Sequence, residues 1–274
     1  MKHELLNKPA HLSIGIAILS TILVLTSTSA QAETGREIMA EVDAQPTPEV
    51  MASEITMTLI DRNSNQRVRR LQSLSRTFED SERSLMFFLE PSDVRGTGFL
   101  SFDYNDPQLS DDQWLFLPSM NRSRRIAGSD QSSSFMGSDL SYADMSSRNL
   151  DDWTYELLGE DRVGDEPVWL VRATAADNDV IDRTGYTESV IYVQQSNYQV
   201  IRAIHSLEGV NERKLINIPE WEHRDGYWLP KVMQVVSQEG GQTVHRTQLT
   251  FSDIDLDPEI SASEFSIQRL EQGL

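Results

Sequence analysis

Three arginines stand close together in a chain with a strong excess of acidic residues: Arg122, Arg124 and Arg125. A guanidinium group pairs bidentately with phosphate and carboxylate groups, so this cluster predicts a site for a lipid phosphate or for an acidic partner surface. The alternative, which the sequence favours slightly, is a structural ion network with acidic residues further along the chain. The candidates for that network are Asp130, Asp139 and Asp144.

The sequence offers little for catalysis or metal binding. It has no cysteine, which excludes disulfides, zinc–thiolate sites, iron–sulfur clusters and thiol catalysis. The histidines after residue 32 are not at metal-ligand spacing, and neither an H-E-x-x-H nor a G-x-S-x-G motif occurs. Ser138 resembles a nucleophile only faintly, although a hydrolase with His205 or His245 as its base stays an alternative. We therefore predict no catalytic residue, no metal and no cofactor.

The first 32 residues have the pattern of a secretory signal peptide. A basic start precedes an almost unbroken apolar run from Ile14 to Leu25, and an Ala30-Gln31-Ala32 motif follows it. The apolar run is too short for a bilayer-spanning helix, which needs about 20 residues. We expect cleavage after Ala32 and a mature periplasmic domain over residues 33–274; an uncleaved membrane anchor is the alternative.

The mature part is strongly acidic, with 22 basic and 42 acidic residues and therefore a net charge of −20. Such a charge predicts repulsion from nucleic acids and from anionic membrane surfaces. With no disulfide available, an exported domain of this size depends on its hydrophobic core alone for its stability.

Apolar residues of the mature part recur first with a helical period and then with a period of two. Thr34 and Glu37 form a capping box that predicts a short amphipathic helix over residues 34–44. From Ala52 onward, alternating residues and regularly spaced turn residues predict about eleven strands joined by short turns. Short turns exclude the long crossovers of parallel strands, so we expect an antiparallel sheet in a sandwich or a barrel.

One long stretch, from Pro118 to Asp152, breaks the strand pattern and is predicted to be a loop. It is rich in Ser, Gly, Asp and Arg, and a loop of this length inside a compact domain is usually functional. The motif W-L-x-L-P at Trp114–Pro118 leads into it, and R-x-R-R-I at Arg122–Ile126 and F-M-G-S-D-x-S-Y-x-D at Phe135–Asp144 lie within it.

These motifs resemble those of the outer-membrane lipoprotein-sorting proteins, a LolA-like family. The segments Arg95–Leu100 and Gly35–Met39 fit the same family. The resemblance runs over nearly all of the mature chain and is most specific from Glu90 to Asp144, whereas the second half matches mainly in the rhythm of its strands.

The resemblance implies a mainly β fold: a single curved antiparallel sheet, an incomplete barrel, with short helices plugging its concave face and an apolar cavity between. It also implies a periplasmic carrier that binds a lipid or lipoprotein acyl moiety, in some members beside an inner-membrane exporter of the resistance-nodulation-division type. The oligomeric state does not follow from the sequence, and a monomer is the expectation. An apolar cavity suits an acyl chain, because each buried methylene contributes about 0.8 kcal/mol.

Two groups of residues are the predicted sites of this carrier. The wall of the apolar cavity is predicted from Ile55, Met57, Leu59, Phe87, Phe99, Trp114 and Phe116. A gate or partner loop is predicted from Arg122, Arg124, Arg125, Phe135, Gly137, Ser138, Asp139, Tyr142 and Asp144. Aromatic residues at strand spacing are also typical of an ordinary core. Two other functions stay open, an exporter accessory subunit without cargo and a lipid hydrolase.

Overall fold

The computed structural model describes residues 33–208 and 211–274, so the predicted signal peptide at residues 1–32 lies outside the described residues. Within the described ranges, 13 strands and three α-helices are present. The strands of the first half are β1 (Val50–Asp61), β2 (Gln66–Thr77), β3 (Ser81–Glu90), β4 (Gly98–Tyr104), β5 (Asp112–Leu117) and β6 (Arg122–Arg125). The strands of the second half are β7 (Trp153–Val163), β8 (Glu166–Ala175), β9 (Tyr186–Gln194), β10 (Val200–Leu207), β11 (Glu212–Arg224), β12 (Tyr227–Glu239) and β13 (Gln242–Asp255). The helices are α1 (Gly35–Asp43), α2 (Asn178–Thr184) and α3 (Ile267–Gln272).

All strands belong to one antiparallel sheet with the order β6-β5-β4-β3-β2-β1-β13-β12-β11-β10-β9-β8-β7. Every neighbouring pair except β1–β13 is also consecutive in the sequence, as short turns require. The edge strands β6 and β7 do not pair with each other within the described residues, so the sheet is open. The predicted mainly β fold with a single open antiparallel sheet is thus confirmed, with 13 strands in place of about eleven.

The prediction that Pro118–Asp152 is a loop throughout was wrong at its start. Residues 122–125 pair with β5, and Arg124 lies opposite Leu115. An edge strand needs no buried face, and the four residues Arg-Ser-Arg-Arg carry no apolar side chain. Alternation of apolar and polar residues therefore could not reveal β6.

Helix α1 begins as its capping box predicts. Thr34 Oγ1 accepts a hydrogen bond from Glu37 N at 3.2 Å, and Glu37 Oε2 accepts one from Thr34 N at 2.7 Å. The helix buries Ile38 and Met39 in a cluster with β7, β8 and β9. No helix in the described part of the chain is long and apolar enough to cross a membrane.

Apolar residues cover both faces of the sheet around β3 and β4. On β3, Phe88 faces the central cluster, which includes Ile55, Met57, Leu59, Leu71, Phe99, Val235 and Leu249. Phe87 faces the other side and packs with Phe116 and Leu270 beneath α3. A Cβ atom at Gly98 would lie 2.6 Å from Leu270 Cδ1 and 2.7 Å from Phe87 Cε1, so a side chain there would force Leu270 or Phe87 to shift.

Candidate functional site

The chain between β6 and β7, residues 126–152, folds onto the central cluster; we call it the insertion. Its side chains Phe135, Leu140 and Tyr142 are buried. The Phe135 ring packs edge-on against Phe99, with 5.2 Å between ring centroids, and against Tyr142 at 5.5 Å. The insertion therefore covers the apolar face of the sheet, where a sandwich would place a second sheet.

A tight turn within the insertion directs these side chains inward. Phe135 N donates to Leu140 O at 2.7 Å, and Ser134 forms an isolated β-bridge with Ser141. Gly137 at the tip has a φ of 75°, which glycine adopts without strain. Because the ends of the turn are held together, Phe135 and Leu140 both reach the central cluster.

A buried carboxylate anchors this turn to the sheet. Asp139 accepts hydrogen bonds from Ser237 Oγ at 2.6 Å and Thr247 Oγ1 at 2.7 Å, and it pairs with His245 Nδ1 at 2.7 Å. These partners lie on β12 and β13. The desolvation cost of the carboxylate is offset because both of its oxygens have hydrogen-bond partners.

A second buried carboxylate anchors the insertion to β9 and β11, in the same half of the sheet as β12 and β13. Asp144 pairs with Lys214 Nζ at 2.8 Å and accepts a hydrogen bond from Tyr186 Oη at 2.7 Å. Burial alone would raise the pKa of Asp144, but Lys214 and the hydrogen bonds from Ser141 N and Tyr186 hold it below its usual value. The two anchors together connect the insertion to strands whose partner residues lie 42 to 108 residues away from it in the sequence.

A neutral histidine lies beside the second anchor. The His205 ring stacks on Tyr186 with 4.4 Å between centroids, and its Nδ1 lies 2.7 Å from Ser189 Oγ and 3.2 Å from Arg148 Nη2. Burial and the charge of Arg148 lower the pKa of His205 well below its usual value. Because a guanidinium can only donate, Nδ1 of the neutral ring is the acceptor.

The three clustered arginines take part in only a fragment of the predicted ion network. Arg124 pairs with Asp130 at 2.9 Å, and Arg125 pairs with Asp112. Arg122 is exposed and forms no ion pair with any described residue. The expected pairing of this cluster with Asp139 and Asp144 was wrong, because both carboxylates are occupied by partners on other strands.

An open groove of about 400 Å³ lies between the β5–β6 hairpin and the insertion. Its apolar lining consists of Leu115, Leu117, Met120, Ile126 and Tyr142. Its polar lining consists of Arg122, Arg124, Asp130, Ser133 and Ser134. Ile126 and Tyr142 also belong to the central cluster, so these two side chains separate the groove from the core.

A larger cavity of about 590 Å³ is unsuited to an acyl chain because acidic groups dominate its lining. Burial, followed by the charge of Asp103, raises the pKa of Asp111 there to about 7. The same two causes raise the pKa of Glu82 and of Asp43. A third cavity, of about 180 Å³, lies beside His205 and Arg148 and is also lined by charged groups. We call the cavity of about 590 Å³, which contains Asp103 and Asp111, the acidic cavity.

The seven predicted cavity residues are divided between the two faces of the sheet. Those in the central cluster are Ile55, Met57, Leu59 and Phe99. Those packed beneath α3 on the opposite face are Phe87, Trp114 and Phe116. Sequence reasoning missed Leu115 and Leu117, which alternate with Trp114 and Phe116 and line the groove. Strand alternation places Leu115 and Leu117 on one face of β5, but it does not show which face of β5 lines a groove.

The residues of the predicted gate also have definite places. Phe135 and Tyr142 fill the core, Asp139 and Asp144 are the anchors, and Gly137 is at the turn. Ser138 Oγ donates to Phe135 O at 2.8 Å and contacts neither His205 nor His245, which have the partners given above. The arrangement of a nucleophile and its base is therefore not found at Ser138.

Comparisons with known proteins give a consistent set of relatives. A family model with the description "uncharacterized protein" matches residues 80–272. A Vibrio parahaemolyticus domain, named for outer membrane lipoprotein sorting, has a TM-score of 0.77 and 25% identity, covering 86% of this chain and 98% of that one. A DUF1329 family protein from Desulfovibrio piger has a TM-score of 0.77 and 26% identity, covering 86% and 97%. A LolA superfamily protein from Nitrosomonas europaea is similar in fold, with a TM-score of 0.63 and 18% identity. The match covers 86% of this chain and 98% of that one. No curated protein matches the chain.

Proposed function

The chain belongs to the LolA-like family of outer-membrane lipoprotein-sorting proteins, and from that premise we propose that it is a periplasmic carrier of a lipid or lipoprotein acyl moiety. The observation that carries the proposal is the open groove beside β5 and β6, which is apolar inside and basic at its rim. Its volume of about 400 Å³ lies within the range of about 300–1,000 Å³ that ligand pockets have. An acyl chain in the groove would gain about 0.8 kcal/mol for each methylene removed from water.

The insertion provides a way to enlarge the groove. Tyr142 lines the groove and also contacts Phe135 in the central cluster, so displacement of Tyr142 and Ile126 together would open the groove toward the core. Phe135, Leu140 and Tyr142 stand where further methylenes of a long chain would pack. The insertion thus acts as the gate, and its own side chains cover the apolar face of the sheet.

The groove favours an amphiphile with an anionic headgroup. Arg122 and Arg124 project from β6 on the same face as Leu115 and Leu117, and Arg122 is free of any ion pair among the described residues. A phosphate held there would accept charge-assisted hydrogen bonds while its acyl chain lies on the leucines. This is the lipid-phosphate site for which the arginine cluster is a candidate.

A direct test asks whether lipid accompanies the protein. Native mass spectrometry of the mature chain, purified gently from the periplasm, is expected to show a bound lipid. An empty protein that instead retains an inner-membrane exporter of the resistance-nodulation-division type would favour the accessory-subunit alternative. Turnover of a lipid ester that is lost in Ser138→Ala would favour the hydrolase.

Filling the groove tests where the lipid binds. In Leu117→Trp the indole occupies space that two or more methylenes would otherwise take, so binding of dihexanoylphosphatidylglycerol should weaken about tenfold or more. Leu158→Trp is the matched control, because Leu158 is a half-exposed leucine on the distant edge strand β7. Isothermal titration of both variants measures the effect. Equal affinity in the two variants would place the ligand elsewhere and contradict the groove assignment.

A further inference from the structure

Three turns at one end of the sheet bring basic residues together. In an antiparallel sheet the β1–β2, β3–β4 and β5–β6 turns lie at the same end, and they span about 20 Å. The β3–β4 and β5–β6 turns lie against each other, since a Cβ at Gly96 would lie 3.3 Å from Pro118 Cγ. We call this end the basic rim. Its arginines are Arg62, Arg67, Arg69, Arg95, Arg122 and Arg124.

The basic rim differs sharply in charge from the rest of the molecule. Residues 61–70, 90–98 and 117–125 contain eight arginines and three acidic residues, although the mature chain carries a net charge of −20. Arg62, Arg67 and Arg95 are exposed and, like Arg122, form no ion pair with any residue that the structure describes. These guanidinium groups are therefore available to an external anion.

Local structure holds the rim in shape. Asp61 Oδ1 accepts hydrogen bonds from Asn63 N and Asn65 N, at 2.8 and 2.9 Å, which fixes the β1–β2 turn. Arg69 donates to Met136 O at 2.6 Å and so links the rim to the insertion. The rim is thus in direct contact with the gate.

Exposed apolar side chains accompany the charges. Met120, in the β5–β6 turn, is 49% exposed and lines the mouth of the groove, and Val68 on β2 is 50% exposed. An anionic protein surface would complement the arginines alone. A lipid surface complements both, because it presents phosphates beside hydrocarbon.

The net charge of the molecule does not prevent such contact. At physiological ionic strength electrostatic interactions between exposed groups are largely screened beyond about 8–10 Å. The acidic cavity lies by the other ends of β4 and β5, whereas the rim arginines would touch the phosphates. We therefore expect the repulsion that the net charge predicts when the protein approaches an anionic membrane by any surface other than the basic rim.

We propose that the basic rim is a docking surface for an anionic phospholipid bilayer, and that it brings the mouth of the groove to the lipid headgroups. The role in loading rests on the proposed carrier function, because the groove is what receives the lipid. Docking itself depends only on the rim. Each arginine near an anionic surface contributes about a fivefold gain in partitioning.

Vesicle sedimentation tests the docking. The mature protein is mixed with vesicles of phosphatidylglycerol and phosphatidylcholine, and with vesicles of phosphatidylcholine alone. The protein should bind the anionic vesicles, and the binding should fall as salt is raised. The triple variant R62Q/R67Q/R95Q should reduce partitioning about 100-fold.

A charge-matched control separates the rim from net charge. The variant R36Q/R162Q/R172Q removes the same three charges from positions outside the rim and should bind the anionic vesicles almost as well as the unmodified chain. Equal losses in both triple variants, or equal binding to neutral and anionic vesicles, would overturn the proposal. Binding to neither kind of vesicle would also overturn it and would direct attention to an acidic protein.

The same variants keep this inference apart from the carrier proposal. Leu117→Trp should dock on anionic vesicles normally and yet fail to bind dihexanoylphosphatidylglycerol in solution. R62Q/R67Q/R95Q should show the reverse pattern, because its groove is intact. A protein that docks but whose Leu117→Trp variant still binds the soluble lipid normally would refute the groove assignment and leave the rim assignment standing.

Discussion

At the scale of single residues, the ionisation of Asp111 is a sensitive point of the fold. Burial and the neighbouring Asp103 raise the pKa of its carboxyl group to about 7, against about 3.9 in an unfolded chain. The unfolded state therefore loses this proton near pH 4, whereas the folded state keeps it until about pH 7. Stability falls over this window as the pH rises, and above it the folded protein carries an unfavourable charge.

Asp111→Asn should consequently stabilise the protein at pH 8 and have little effect near pH 4.5. The gain at pH 8 should be about 1 kcal/mol, after allowance for solvent screening of a partly exposed pair. Asparagine keeps an oxygen that accepts the hydrogen bond from Tyr104 N. Urea unfolding at both pH values measures the difference. Asp106→Asn, in the exposed part of the same hairpin, is the control, and a similar pH dependence in that variant would contradict the assignment.

The residue types of the site were visible in the sequence, but their partners were not. Alternation on β1 predicts that Ile55, Met57 and Leu59 share a face, and they do. The partners of Asp139 and Asp144 lie on other strands, as far as 108 residues away in the sequence for Thr247. No local pattern encodes such distances, so the sequence alone predicts the nearby arginines as the partners of these carboxylates.

At the scale of elements, the sequence predicts that the insertion is functional, but it does not predict that the insertion packs on the apolar face of the sheet. Its length and composition predict a functional loop, and Phe135 and Tyr142 were expected in a gate. A buried aromatic side chain and a gate residue look alike in a sequence. The position of the insertion over the apolar face depends on long-range packing, such as that of Phe135 on Phe99, which no local pattern shows.

The Asp144–Lys214 anchor should be essential for holding the insertion in place. Asp144→Asn leaves a buried ammonium group without its carboxylate, which typically costs about 3–5 kcal/mol. The double variant Asp144→Asn/Lys214→Met removes both charges and should recover part of that loss. Because the pKa of Asp144 is lowered in the folded state, its stabilising contribution is present above pH 4 and is lost as the pH falls through its folded-state value.

Urea unfolding at pH 7 measures these losses. Asp151→Asn breaks the Arg36–Asp151 pair, in which both side chains are more than half exposed, and it should cost less than about 1 kcal/mol. If Asp144→Asn costs no more than this control, the pair does not fasten the insertion. Retention of the full penalty in the double variant would assign the loss to packing instead of charge.

At the scale of the whole molecule, charge and hydrophobicity are unevenly distributed over one open sheet. One end of the strands β1–β6 is basic, and the groove opens there, whereas the acidic cavity lies at Asp103 and Asp111, by the other ends of β4 and β5. Overall composition averages over these regions, which is why a net charge of −20 predicts repulsion from membranes that the basic rim does not share. Only the topology shows that three separate turns, each with an arginine in it or directly beside it, lie at the same end of the sheet.

Ligand binding to such a molecule should appear as a gain in global stability, because the groove forms only when β5, β6 and the insertion are folded together. Dihexanoylphosphatidylglycerol at 100 times its Kd should stabilise the protein by about 2.7 kcal/mol, which raises the Tm of a domain of this size by about 5–10 °C. Calorimetry of the mature chain checks this. R62Q/R67Q/R95Q should show the same rise because its groove is intact, and Leu117→Trp should show almost none. A rise of equal size in Leu117→Trp would mean that the lipid stabilises the fold from a different site, and the groove would then not be where the cargo is held.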